Sequence, residues 1–81
     1  MNVRFEMLGV LRRMAGADAI DLELASGATI GDALELLSSQ RPELRQELAR
    51  CAVAIGDAIV LRRSPLMSGT TLALLPPVAG G

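Results

Sequence analysis

Histidine and lysine are both missing from this sequence, as are tryptophan and tyrosine, while phenylalanine and cysteine occur once each. Without histidine the chain lacks the commonest general base and metal ligand. Without lysine it has no route to Schiff-base chemistry and no P-loop phosphate contact. A lone cysteine excludes an intrachain disulfide and a cysteine-rich zinc site. Cys51 opens the apolar run Cys51-Ala52-Val53-Ala54-Ile55 and reads as a packed thiol. The near absence of aromatic rings removes the platforms on which single-stranded nucleic acid stacks. A net charge of −1 gives no electrostatic case for nucleic acid either. No apolar run approaches the roughly 20 residues of a membrane span. Charges interrupt Met1-Asn2-Val3-Arg4-Phe5-Glu6 too early for a signal peptide, so a cytoplasmic location is expected. Nine carboxylates remain, with no paired set in an apolar setting. The chain by itself is therefore not expected to be an enzyme.

What is present is apolar. Hydrophobic residues make up 51% of 81 positions, which is the size of one small domain. A chain of this length buries only about 60–65% of the surface that it exposes unfolded. Some apolar surface is left over, which points to a protein partner.

Asn2 to Leu8 alternates, with Val3, Phe5 and Met7 on one side and Arg4 and Glu6 on the other, as in a half-buried strand. Gly9 to Gly16 reads as a loop with one helical turn. Ile20 to Leu24 alternates again. Thr29 suits a helix N-cap with Asp32 at the third helical position. Ile30, Ala33, Leu34 and Leu37 then form a helical stripe. Pro42 ends that helix and opens a short second one to Ala49, with Leu44 and Leu48 inward. Ala52–Ile55 and Ala58–Leu61 are strands joined by the two-residue turn Gly56-Asp57. After the break at Arg62-Arg63-Ser64-Pro65, Thr71–Leu75 is the last strand.

The order ββα(α)βββ predicts an α+β fold, a mixed sheet of about five strands with one main helix across one face. A helical crossover lets the last strand lie parallel to the first. This is the β-grasp arrangement of ubiquitin-like domains. Strand parity predicts a core set of Val3, Phe5, Met7, Leu22, Leu24, Val53, Ile55, Ile59, Leu61, Leu72 and Leu74. The opposite face is charged at Arg4, Glu6, Asp21 and Glu23. It is small or apolar at Ala52, Ala54, Ala58, Val60, Ala73 and Leu75. That uncharged half is the expected docking surface, with Leu75 near its centre. The pairs Arg12-Arg13 and Arg62-Arg63 read as solvated surface.

The expected division is a domain over 1–75 and a projecting tail over 76–81. Pro76 and Pro77 cannot donate to a ladder, so the strand stops at Leu75 and the chain leaves in an extended course. Six residues span at most roughly 20 Å. Chain ends are often simply mobile. Here, however, Gly80-Gly81 stands behind a strand and a Pro-Pro brake in a chain with no other chemical site. An ionised terminal carboxylate is unreactive until an adenylyl group converts it into a mixed anhydride. Two glycines let such a tail enter a channel that any Cβ would block.

The segment Leu74-Leu75-Pro76-Pro77-Val78-Ala79-Gly80-Gly81 resembles the end of the small subunit of molybdopterin synthase, a family of ubiquitin-like sulfur carriers. Length and element order resemble that family as well, as does the turn Leu66-Met67-Ser68-Gly69. Ser68 and Thr70 stand where acidic residues are usual, and Leu74-Leu75 where aromatics are common. The resemblance implies that Gly81 is adenylated and then thiocarboxylated, while Leu75, Pro76, Pro77, Val78, Ala79 and Gly80 bind the partner and place it. It implies three partners: an adenylyltransferase resembling the ubiquitin-activating enzyme, a sulfur donor, and the large synthase subunit in a heterotetramer. There the sulfur attacks cyclic pyranopterin monophosphate on the way to the dithiolene of the molybdenum cofactor. The chain would bind no cofactor or metal of its own; ATP and Mg²⁺ serve the activating enzyme. Sulfur carriers for thiamine or tRNA thiolation share Gly-Gly. A protein modifier shares the first chemical step, and an inert ubiquitin-like interaction module is a further alternative.

Overall fold

The computed structural model describes residues 1–77, so the expectations on Val78, Ala79, Gly80 and Gly81 lie outside it. Its five-stranded sheet runs in the order β2-β1-β5-β3-β4, from β1 (Asn2–Met7), β2 (Ala19–Glu23), β3 (Ala52–Ile55), β4 (Ala58–Val60) and β5 (Thr71–Leu75). The first hairpin is antiparallel, with Val3 opposite Leu22 and Phe5 opposite Ile20. Beside it β5 lies parallel to β1, pairing Phe5 with Leu72 and Met7 with Leu74. The main helix α2 (Ile30–Gln40) makes the crossover on the core side. This is the expected β-grasp.

The local reasons are explicit at α2. Thr29 Oγ1 accepts from the Asp32 amide at 3.1 Å, and Asp32 Oδ2 accepts from the Thr29 amide at 2.9 Å. This reciprocal capping box satisfies two donors that the first turn leaves free. Ile30, Ala33, Leu34 and Leu37 are all buried, as their spacing requires. The stretch 62–66 straps the helix start. Ile30 N donates to Ser64 O, Gly31 N to Arg62 O at 2.7 Å, and Leu66 N to Ala28 O. A Cβ at Gly31 would stand 3.2 Å from Arg62 O, so glycine allows this close approach. Pro42 opens a single 3-10 turn (Pro42–Leu44), followed by α3 (Arg45–Arg50) with Leu44 and Leu48 buried. Arg62 donates to Leu48 O at 2.9 Å and Cys51 O at 2.8 Å, closing the end of α3. Of the two arginine pairs read as solvated surface, this one contains a structural clamp.

The expected loop after β1 is more helical than its glycines suggest. It holds α1 (Val10–Ala15), whose Leu11 and Ala15 bury one helical turn apart. Gly16, at φ 69°, stops it and donates to Arg12 O.

The core is continuous from Val3, Phe5 and Met7 through Leu72 and Leu74 to α2, with Leu11, Leu44, Leu48 and Val53 around it. Phe5 is fully buried, and no other aromatic ring is available to fill its space. Phe5→Ala is expected to cost ~3–5 kcal/mol, a large share of the ~5–15 kcal/mol usual for a domain. Thr29→Ala should cost only ~1 kcal/mol. Urea unfolding of both variants checks the order.

Candidate functional site

Because β1 and β5 are parallel neighbours in register, both leave the sheet at the same end. β1 passes into Leu8-Gly9, and β5 passes into Leu75-Pro76-Pro77. The last strand stops at Leu75, as the prolines require. Leu75 and Pro76 are half-buried, and Pro77 is exposed. Of the expected site residues, the structure thus brings Leu75, Pro76 and Pro77 together at one sheet end. Val78, Ala79, Gly80 and Gly81 lie beyond the described residues.

The outer face of the sheet divides as charge patterning predicts. On the β2 side, Arg4 sits opposite Asp21 and grips it with two bonds of 2.8 and 3.2 Å. The Arg4 guanidinium holds the Asp21 carboxyl below its ordinary range. On the other side no charge interrupts Ala73, Ala54 and Ala52, and Ala52 pairs with Leu75.

The edge strand β4 corrects the expected parity. Simple alternation puts Ile59 and Leu61 in the core, and Ala58 and Val60 outside. Instead Ile59 is 65% exposed and Leu61 55% exposed, while Val60 packs against the core. The cause is the two-residue turn, which sets Ile55 directly opposite Ala58 and Val53 opposite Val60. Residues directly opposite share a face, so Val60 follows Val53 inward and Ile59 joins Ala54 outside. Ile55 keeps the core side but lies at the strand end and is 38% exposed. The turn itself carried this signal. With Ile59 opposite Ala54, and Ala73 on Ala54's other side, the outer apolar patch is larger than expected. Leu8, which follows Met7, is 40% exposed at the same end of β1 as the tail root. Neither Leu8 nor Ile59 was expected at the site. Leu75 stands at the tail end of this patch, between Ala52 and the exit of β1, and not at its centre.

The remaining chemistry is sparse. Ser38 is the one buried polar residue among those described. No group of three or more His, Cys, Asp or Glu among the described residues is placed to hold a metal ion. Cys51 is 5% exposed, its thiol donates to Leu48 O at 3.3 Å, and burial pushes its pKa up. It is the packed thiol expected from its apolar run. No helix among the described residues is long and apolar enough to cross a membrane. The arrangement is a surface plus an outgoing strand end.

Comparison with known proteins gives the same outline. The sequence model of the ThiS family matches residues 6–81. No curated protein matches. Among solved structures, SAMP1 from Haloferax volcanii superposes with a TM-score of 0.86 at 25% identity, covering 100% of both chains. The complex of subunits 1 and 2 of the molybdopterin-converting factor from Helicobacter pylori contains a chain matching at TM-score 0.70 and 24% identity, with 100% of each covered. The BexX/CysO complex of Amycolatopsis orientalis contains one at 0.74 and 24% identity, covering 98% of this chain and 99% of that one.

The corrected parity has a direct test. Ile59→Asp is expected to change stability by no more than about 0.5 kcal/mol, as on an open surface. Val60→Asp should cost at least ~1 kcal/mol, because it drives a charge against the core. Chemical denaturation of the two variants separates them, and equal losses would contradict the assignment.

Proposed function

Since the chain belongs to the ThiS family, we propose that it is a sulfur carrier whose Gly81 carboxylate is adenylated, converted to a thiocarboxylate, and offered to a second protein. The observation that carries this reading is a family match that runs through the whole tail to residue 81. The apolar outer face leading into Leu75, Pro76 and Pro77 supports it. Such a face docks a partner and leaves the tail directed past it.

The roles then divide by residue. Leu75, with Ala52, Ile59 and Ala73, contacts the partner. Pro76 and Pro77 stiffen the tail root. Val78, Ala79 and Gly80 thread the partner's channel, where glycine leaves room that a Cβ would take. Gly81 carries the sulfur. The adenylyl group comes from ATP with Mg²⁺, both held by the activating enzyme. Acid–base groups come from the partner, which suits a chain with neither His nor Lys.

Within the family we favour the small subunit of molybdopterin synthase, delivering sulfur to cyclic pyranopterin monophosphate in a large-subunit complex. The run Leu74-Leu75-Pro76-Pro77-Val78 favours it. A chain of this fold is known in complex with subunit 2 of a molybdopterin-converting factor. The second reading is a protein modifier, favoured by the likeness to SAMP1, a small archaeal modifier protein.

The test is the intact mass of the chain after incubation with the adenylyltransferase, ATP, Mg²⁺ and a sulfur donor. The carrier reading expects one oxygen exchanged for sulfur, followed by pterin product when the large subunit is added. A covalent adduct on other proteins, with no thiocarboxylate, contradicts it. Leu75→Asp is expected to weaken large-subunit binding by at least about tenfold with the melting temperature nearly unchanged, as for loss of an interface anchor. Unchanged binding in a pull-down titration would remove the outer face from the interface.

A further inference from the structure

The tail root is seated on a specific backbone position. β1 and β5 leave the sheet side by side, so one of them must turn aside at once. β1 does so at Gly9, whose φ of 55° and ψ of −129° match the first central residue of a type II′ turn. The turn is closed by Leu11 N donating to Leu8 O at 3.1 Å. It sends the chain straight into α1, whose Leu11 is fully buried and anchors it.

Gly9 also faces the outgoing tail. A Cβ built on it would meet Cγ of Pro76 at 3.2 Å, tighter than ordinary van der Waals contact, and nothing else within 4 Å among the described residues. Cγ of Pro76 therefore lies over the open side of Gly9, close to where a Cβ would stand. At the other positive-φ glycines among the described residues, Gly16, Gly27, Gly56 and Gly69, such a Cβ would meet no described residue within 4 Å. Gly9 alone among them combines a backbone need with a close neighbour, and that neighbour is the first residue after the last strand.

We propose that Gly9 is a positioning residue for sulfur activation and transfer: it seats the Pro76 ring and so sets the heading with which the tail leaves the domain. This rests on the carrier reading above. Proline's ring fixes its own φ, so a seated ring passes its orientation directly to the next peptide unit. A side chain at position 9 strains the turn at this φ and also requires the ring or the backbone to give by a few tenths of an ångström. A shifted ring turns the Pro76–Pro77 peptide unit, the last described step of the chain before the working end. A misplacement of about 1 Å at a reacting group costs on the order of 100-fold in rate.

The experiment has an arm that does not depend on activity. In the free wild-type chain, NMR is expected to show a nuclear Overhauser contact between the Gly9 α-protons and the Pro76 ring; its absence overturns the seat. The second arm measures adenylation by ATP–pyrophosphate exchange with the activating enzyme. Gly9→Ala is expected to lower kcat at least about tenfold, with KM for the carrier within about twofold, because docking uses the sheet face. Simple unfolding would instead raise the apparent KM and show in the melting temperature. Pro76→Ala leaves the Gly9 turn untouched and removes Cγ; it should lower kcat with an unchanged melting temperature. In that background Gly9→Ala should cost less than about twofold more. Unchanged kcat in both folded variants, or losses that simply add, overturns the proposal. If the wild-type chain is never adenylated, the carrier reading itself fails and the positioning role goes with it, whatever the contact shows.

Discussion

The parallel pairing of β1 with β5 is the constraint on which the rest of this molecule depends. A parallel pair cannot be closed by a tight turn, so the chain between the two strands must cross over a face of the sheet. Here α2 makes that crossing and carries the stripe that covers Phe5, Leu72 and Leu74. The same pairing sends the ends of both strands out at one sheet end. Whatever follows Leu75 starts next to the β1–α1 corner, and that corner has been cleared by Gly9 to receive Pro76. Core, crossover and tail root are three consequences of one register.

The two faces of the sheet then take on separate work. The inner face is sealed by α2, α3 and the 62–66 strap, with Arg62 holding the end of α3 and the start of α2 through side chain and backbone. The outer face is split into a charged half locked by Arg4 and Asp21, and an uncharged half of small residues bordered by Ile59, Leu8 and Leu75. Small side chains keep that half flat. A flat apolar surface has little affinity of its own but accepts a close-packed partner, and the tail leaves from its rim.

Much of this was legible in the sequence, for reasons that can be traced. Alternation in β1, the stripe of α2 and its Thr29–Asp32 capping pair are local patterns, and local physics decides them. The stop at Pro76 is equally local. Two features were not local. The helix α1 is short and glycine-flanked, and it exists because Leu11 and Ala15 find the core. The side on which Ile59 and Val60 lie depends on how the Gly56-Asp57 turn closes. Reading β4 as simple alternation misplaced both, although the two-residue turn already held the answer. The seat at Gly9 needs tertiary structure, since nothing in the sequence puts residue 9 beside residue 76.

The central claim is that the reacting atom belongs to Gly81 and the folded domain serves to carry it. The most direct measurement is sulfur delivery by a chain extended by one phenylalanine after Gly81, with intact mass showing that it is not trimmed. The account predicts a folded protein that binds its partners through the sheet face yet forms no thiocarboxylate and transfers no sulfur. Normal sulfur delivery from the untrimmed, extended chain would contradict it.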